Sequence, residues 1–93
     1  MLFVIYCLDK PGAQQVRLDT RPAHVAYLKD QGPRVVMGGP MTTEDGGAMT
    51  GSMLVVDVET YAEAEAFSRN DPYALAGLFD TVSIRPWKKV IPA

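Results

Sequence analysis

The order of short apolar runs and helical patterns constrains the fold of this chain more than any other feature. Residues 2–8 form a continuous apolar, β-branched and aromatic run, which is typical of a strand covered on both faces or nearly so. Residues 52–58 are almost as apolar and predict a central strand. Two further strands are predicted at Arg34–Met37 and Thr81–Trp87, and Pro86 favours an edge or a bulge for the last of them.

A helical pattern separates the first two strands. It extends from Ala13 to Gln31 and is followed by the stop signal Gly32-Pro33. Pro22 interrupts this pattern, because a proline inside a helix removes a backbone donor and crowds the preceding turn. We therefore expect either a kink at Pro22 or a short first helix and a restart capped by Thr20.

A second helical region follows the third strand. Thr60-Tyr61-Ala62-Glu63 fits the capping-box pattern, and the helix is expected to end near Asn70. Asp71-Pro72 resembles an N-cap with proline at the first helical position, which predicts a short helix through Leu78. Met41 to Thr50 is predicted to be a polar loop.

The predicted element order is β-α-β-β-α-β, the ferredoxin-like α+β arrangement, with a short extra helix before the last strand. In this topology, two helices cover one face of a four-stranded antiparallel sheet. The other face would carry apolar side chains from runs such as 2–8 and 53–56 without cover inside one copy. We therefore predict a homodimer formed face to face through the open sheet face, and a single domain over residues 1–93.

The composition disfavours several classes of partner and cofactor. Nine Lys and Arg against eleven Asp and Glu, without a basic run, predict no binding to nucleic acid or to an anionic membrane. A lone Cys7 within an apolar run is expected to be a buried small hydrophobe, and one His with one Cys does not suggest a metal site. Neither a nucleotide motif nor a leader sequence is recognisable, so we expect a cytoplasmic protein that needs no cofactor.

The single histidine, His24, is the clearest candidate for chemistry, because its side chain titrates nearest neutrality. At 100° per residue it shares a helix face with Arg21, Val25 and Leu28, and Arg17 joins them if the helix is continuous. A histidine at the edge of the core, satisfied by a backbone carbonyl, is the alternative interpretation. An adjacent carboxylate would hold its tautomer and raise its basicity.

With these elements in place, the chain resembles the YCII-related, or YciI-like, family over essentially its whole length. The motifs that carry the resemblance are Arg21-Pro22-x-His24-x-x-x-Leu28, Gly39-Pro40, Thr50-Gly51-Ser52, Asp71-Pro72-Tyr73 with Ala76-Gly77, and Pro86-Trp87-Lys88-Lys89. The resemblance implies a dimeric α+β barrel similar to that of muconolactone isomerases. It also implies that His24 and Asp71 form the active-site pair, in a family whose members include enzymes of proton transfer or dehalogenation on ring-derived intermediates.

The remaining candidates each have two interpretations. Asp71 is explained equally by capping the short helix, a role compatible with catalysis. Arg21 is either a solvated helix-face charge or the anchor of a substrate carboxylate, and the same alternatives hold for Arg17. Ser52 is either bonded to backbone or a donor into a pocket, but no base beside it suggests a nucleophile.

Tyr73 either lines the cavity or packs the short helix. Gly39 and Pro40 would allow a backbone to approach a ligand closely. The loop from Met41 to Ala48 matches no shared motif, so we expect it to influence substrate choice.

The sequence therefore predicts a small lyase-like or isomerase-like enzyme. Asp71 would orient His24, which would transfer a proton on a small, oxygenated, anionic organic molecule held by Arg21. The first alternative is a module that binds or senses a small metabolite without turnover. The second is a purely structural dimer, in which His24 would be dispensable.

Overall fold

Four antiparallel strands form one sheet in the order β2-β3-β1-β4. The computed structural model describes all residues from Met1 to Ala93. Along the chain the elements are β1 (Leu2–Asp9), α1 (Gln14–Asp30), a 3-10 turn (Gly32–Arg34), β2 (Val35–Thr42), β3 (Met49–Asp57), α2 (Tyr61–Arg69), α3 (Pro72–Leu75) and β4 (Phe79–Trp87). This is the ferredoxin-like order with one short extra helix, so the predicted fold class is confirmed. The apolar strands β1 and β3 are central, and β4 with its Pro86 is an edge strand.

Helix α1 runs without interruption from Gln14 to Asp30 and includes Pro22. The predicted alternative of a restart capped by Thr20 is therefore wrong. Tertiary contacts explain why the helix continues: Arg17 before the proline bonds to Asp9, and His24 after it bonds to Asp71. Two such anchors on one face offset the single hydrogen bond that Pro22 cannot make.

Helix α2 begins as predicted, because the Thr60 hydroxyl accepts a hydrogen bond from the Glu63 N–H. Helix α3 begins at the predicted cap but ends at Leu75, not at Leu78. The reason is Gly77, whose φ of 73° is left-handed. The Gly77 N–H bonds to the Ala74 carbonyl and the Leu78 N–H to the Tyr73 carbonyl, which together form a Schellman motif that ends the helix.

The core lies between one face of the sheet and the helices. Alternate residues of β1 and β3 point into it, together with residues of α2; the members are Phe3, Ile5, Cys7, Leu54, Val56, Val58, Ala64 and Phe67. The register places Cys7 opposite Ser52, at the end of the sheet where β1 finishes. Gly51 is required here, since a Cβ at this position would collide with the carbonyl oxygen of Cys7. The core therefore ends beside Ser52, where polar groups take over.

The opposite face of the sheet has no helix over it. Tyr6 is 43% exposed and Met53 is 39% exposed, and these two residues are paired across β1 and β3. Strands β2 and β3 extend to Thr42 and from Met49, so the polar loop is shorter than the predicted Met41 to Thr50. Met37 and Met41 lie on this same face, by their pairing with Val55 and Gly51. We call the side chains Val4, Tyr6, Leu8, Met37, Met41, Met53 and Val55 the open face.

Of the helices, none is long and apolar enough to span a membrane.

The buried thiol of Cys7 provides a pH-dependent contribution to stability. Burial raises its pKa from 9.0 to about 12, and the Asp71 and Asp9 carboxylates act in the same direction. The unfolded chain releases the thiol proton first, so this contribution is complete below pH 9 and is lost as the pH rises through about 12. We expect wild type to lose roughly 2 kcal/mol more unfolding free energy between pH 8.5 and 10.5 than Cys7→Ala. Urea unfolding of both proteins at these two pH values measures this, and equal losses would contradict it.

Candidate active site

His24 and Asp71 are in direct contact. His24 lies on the inner face of α1 and is 7% exposed, and its Nδ1 is 2.8 Å from Asp71 Oδ1. Asp71 is the N-cap of α3, and the same Oδ1 accepts the Tyr73 N–H at 2.9 Å. The cap therefore holds the carboxylate in one orientation, and the carboxylate in turn orients the imidazole.

This contact determines which nitrogen of His24 is available. An ionised carboxylate accepts hydrogen bonds and donates none, so Nδ1 carries the hydrogen in the pair. In the neutral ring, Nε2 then has the free lone pair. His24 also lines a cavity, and no protein group bonds to its Nε2.

Tyr73 packs against the imidazole. The two rings stack at 3.9 Å between centroids and 18° between planes. Burial raises the pKa of the Tyr73 phenol, although the Arg17 and Arg21 charges oppose this, so the phenol is neutral at physiological pH. The predicted alternatives of lining the cavity and packing the short helix both apply to Tyr73, since it does both.

Arg17 forms a buried ion pair that sequence reasoning missed. It is 1% exposed, and its Nε and Nη2 bond to the two carboxylate oxygens of Asp9 at 2.7 and 2.8 Å. Burial alone would lower the pKa of Arg17, but the hydrogen bond and charge of Asp9 outweigh it and raise the pKa. Its Cζ lies 4.6 Å from the Tyr73 ring centroid, within cation–π range. Arg17 is thus neither a solvated charge nor an unpaired anchor.

A signal for this pair was present in the sequence. Asp9 directly follows the apolar run of residues 2–8 and precedes Lys10-Pro11-Gly12, a position that is also typical of a turn residue. A continuous α1 places Arg17 on the face of His24, which makes a nearby acid necessary once that face is buried. Ser52 completes the cluster, because Arg17 Nη2 donates to its Oγ at 2.9 Å.

These groups surround a cavity of about 160 Å³. Its lining consists of Arg17, Arg21, His24, Val25, Leu28, Gly38, Gly39, Pro40, Met49, Ser52 and Tyr73. An apolar cavity of about 150 Å³ holds one benzene ring, so this volume suits a single six-membered ring. Asp71 is the one predicted site residue outside the lining, because it lies behind His24. The loop Met41 to Ala48 contributes no lining residue.

One cation at the cavity has no ion-pair partner. Arg21 is exposed, lines the cavity and has no ion-pair partner, whereas the charge of Arg17 is balanced by Asp9. Arg21 is therefore the cation available to a carboxylate or an enolate. No cluster of three His, Cys, Asp or Glu side chains is arranged to bind a metal.

Comparisons with known proteins place this chain among homologues of similar length. The family model described as the YCII-related domain matches residues 1–88. Protein YciI of Escherichia coli is 42% identical over 97% of this chain and 99% of its own length. An uncharacterized protein of Haemophilus influenzae is 32% identical over the same shares.

A similar structure has been solved with a ligand. It is the 5-chloro-2-hydroxyhydroquinone dehydrochlorinase of Burkholderia phenoliruptrix in complex with 2,5-dihydroxybenzoquinone. It aligns with a TM-score of 0.87 and 42% identity over 95% of this chain and 94% of that one.

Proposed function

Since this chain belongs to the YCII-related family, we propose that it is a small enzyme in which His24 and Asp71 transfer a proton on a single-ring, anionic organic molecule. The observation that carries this proposal is the 2.8 Å contact between His24 Nδ1 and Asp71 Oδ1 beside a cavity. In this arrangement Nε2 accepts the proton and Asp71 stabilises the resulting imidazolium. A positioned general base of this kind accelerates proton transfer by about 10²–10⁴-fold.

The size and charge of the cavity support a substrate class. About 160 Å³ holds one substituted six-membered ring, and Arg21 attracts its negative charge. The similar dehydrochlorinase was solved with a hydroxylated quinone, which is a ligand of this class. A lyase reaction on a chlorinated hydroxylated ring is balanced when a hydroxyl proton first moves to the carbon that bears chlorine, which gives a keto tautomer. Nε2 then takes a remaining hydroxyl proton, the released electron pair forms a π bond through the ring, and chloride leaves with its own bonding pair.

Chloride release tests this function directly. The purified protein is incubated with 5-chloro-2-hydroxyhydroquinone under anaerobic conditions, which prevent oxidation by air, and chloride is measured against a protein-free control. We expect catalysed release. Binding of 2,5-dihydroxybenzoquinone without any release from the chlorinated ring would contradict the proposed dehydrochlorination and favour a binding module.

Two substitutions of Asp71 separate its charge from its capping role. Asp71→Asn keeps an oxygen that accepts from both Tyr73 N–H and His24 Nδ1–H, and asparagine caps a helix as well as aspartate does. We expect its unfolding free energy to change by less than about 1 kcal/mol, while chloride release falls about 10²-fold or more, because the imidazolium loses its counter-charge.

Asp71→Ala is the matched variant, which loses the cap and leaves His24 Nδ1 unpaired. It is expected to cost about 1–3 kcal/mol of stability as well as activity. Urea unfolding and initial rates of chloride release measure both effects. Undiminished release by Asp71→Asn would show that the carboxylate charge is not used.

A second copy of the chain is the proposed partner of the open face. Three methionines, Tyr6 and Leu8 present apolar surface there, on the side of the sheet that no helix covers. Monomers rarely leave such a continuous apolar surface in water, and a two-fold axis lets the same surface cover itself.

Tyr6→Glu tests this homodimer. In a two-fold interface each dimer carries the change twice, so two unpaired carboxylates would be buried. We expect the dissociation constant to rise by at least about 100-fold, measured by sedimentation velocity over a range of concentrations. Leu18→Glu is the control, since Leu18 is 46% exposed on α1, in the helix layer. Equal sedimentation of wild type and Tyr6→Glu would contradict the proposal.

A further inference from the structure

We propose that Ser52 donates its hydroxyl hydrogen to the substrate oxygen that becomes negative when His24 takes the proton, and that the buried Arg17–Asp9 pair orients Ser52 for this. The inference rests on the proposed function. It assigns the group that stabilises the negative charge left on the substrate when His24 removes the proton. It gives Arg17 and Asp9 a positioning role, since both act through Ser52.

The Ser52 hydroxyl has a hydrogen that no protein group accepts. Its Oγ accepts from Arg17 Nη2 at 2.9 Å, and this is the one hydrogen bond that its side chain makes. A hydroxyl has one hydrogen to donate, and no protein acceptor takes it here. Ser52 is buried and lines the cavity that His24 also lines, so the hydrogen is available to a ligand oxygen in that space.

Arg17 is suited to hold the hydroxyl rather than the substrate. Two of its nitrogens are bonded to Asp9 in a fork, and its guanidinium lies over the Tyr73 ring. Such bidentate pairs fix the plane of the guanidinium. The remaining Nη2 bond therefore approaches Ser52 from a set direction, and accepting from a cation makes the hydroxyl a stronger donor.

The chemical step is balanced without any other reactant. His24 Nε2 takes a proton from the keto tautomer of the substrate, and the negative charge that remains is shared through the ring with the carbonyl oxygen, which becomes an oxyanion. When these electrons return to the ring they form the new π bond, and chloride leaves with its own bonding pair. Ser52 O–H donates to that oxyanion, and no atom is oxidised or reduced. The substrate class is thus a ring in which an acidic hydrogen is conjugated to a carbonyl oxygen.

The first test compares two ring ligands by calorimetry on wild type and Ser52→Ala. The anion of 2,5-dihydroxybenzoquinone carries negative charge on its ring oxygens, whereas hydroquinone is a neutral diol on a six-membered carbon ring of similar size. Hydrogen bonds to charged groups are stronger than those to neutral groups. We therefore expect Ser52→Ala to lower the affinity for the quinone by about 10–100-fold and the affinity for hydroquinone by less than about fivefold. Equal quinone affinity in both proteins would overturn the inference.

The second test examines the positioning role with a double-mutant cycle. Arg17→Lys keeps the charge but has no fork to span Asp9 and Ser52 together. If Arg17 acts through Ser52, Arg17→Lys lowers the affinity for the quinone by about the same factor as Ser52→Ala does. The double variant then binds the quinone no more weakly than Ser52→Ala alone. Losses that multiply would overturn the positioning role. Asp9→Asn is the second variant and is expected to show the same non-additivity, which keeps the test valid if Arg17→Lys does not fold.

Failure of the proposed function is distinguishable from failure of this inference. Wild type that neither binds the quinone nor releases chloride would overturn both. If wild type releases chloride, and Ser52→Ala releases it at the same rate and binds the quinone with the same affinity, only the role of Ser52 is overturned.

Discussion

Replacing His24 with glutamine is expected to lower chloride release from 5-chloro-2-hydroxyhydroquinone by about 10²–10⁴-fold. Glutamine can donate a hydrogen bond toward Asp71, but it has no basic nitrogen at the position of Nε2. The affinity for 2,5-dihydroxybenzoquinone should change by less than about tenfold, because Arg21 and the rest of the cavity are retained. Initial rates and calorimetry on the same preparation measure the two quantities.

Lys29→Gln is the matched control for this variant. Lys29 is exposed in the last turn of α1 and lies outside the cavity, so its replacement should leave the rate unchanged. The chain has no second imidazole that could substitute for His24. Chloride release by His24→Gln at the wild-type rate would therefore rule out the base assigned here.

Replacing Arg17 with methionine is expected to destabilise the fold by about 3–5 kcal/mol. The substitution leaves the Asp9 carboxylate buried without the two hydrogen bonds that it accepts at 2.7 and 2.8 Å. Small domains have about 5–15 kcal/mol of total stability, so this one change removes a large part of it. Urea unfolding followed by circular dichroism gives the difference.

Two further variants identify the origin of that loss. Arg17→Met with Asp9→Leu removes both charges and should recover most of the stability, because the cost comes from the unpaired carboxylate. Arg21→Met should change stability by less than about 0.5 kcal/mol, since Arg21 is exposed and has no partner. A double variant as unstable as Arg17→Met would show that lost packing around Tyr73, rather than charge, is responsible.

Local patterns predicted the elements well where one periodicity or one cap decides them. The apolar run of β1, the Thr60 cap of α2 and the Asp71 cap of α3 appear where the sequence places them. The prediction that depended on a helix-breaking residue was less accurate. Pro22 did not interrupt α1, because contacts made by Arg17 and His24 on either side hold the helix together.

The candidate site likewise contains residues whose position the local pattern predicted and residues whose role it did not predict. The helical face shared by Arg21, His24, Val25 and Leu28 was predicted, and these residues line one cavity. The role of Arg17 was not, because its partner Asp9 belongs to a different element, and a charge on a helix face is usually solvated. The contact between His24 and Asp71 followed from family resemblance, since spacing along the chain does not bring two distant segments together.

The sequence by itself determined the order of strands and helices, the capping residues and the face of α1 that turns inward. These follow from periodicity and from hydrogen bonds between near neighbours, which act over a few residues. Only the tertiary structure decided that Asp9, Arg17 and Ser52 form one buried cluster and that Asp71 meets His24 across 2.8 Å. Such contacts depend on how the helices pack on the sheet, and burial then makes pairing obligatory, because an unpaired charge or polar group out of water is strongly unfavourable.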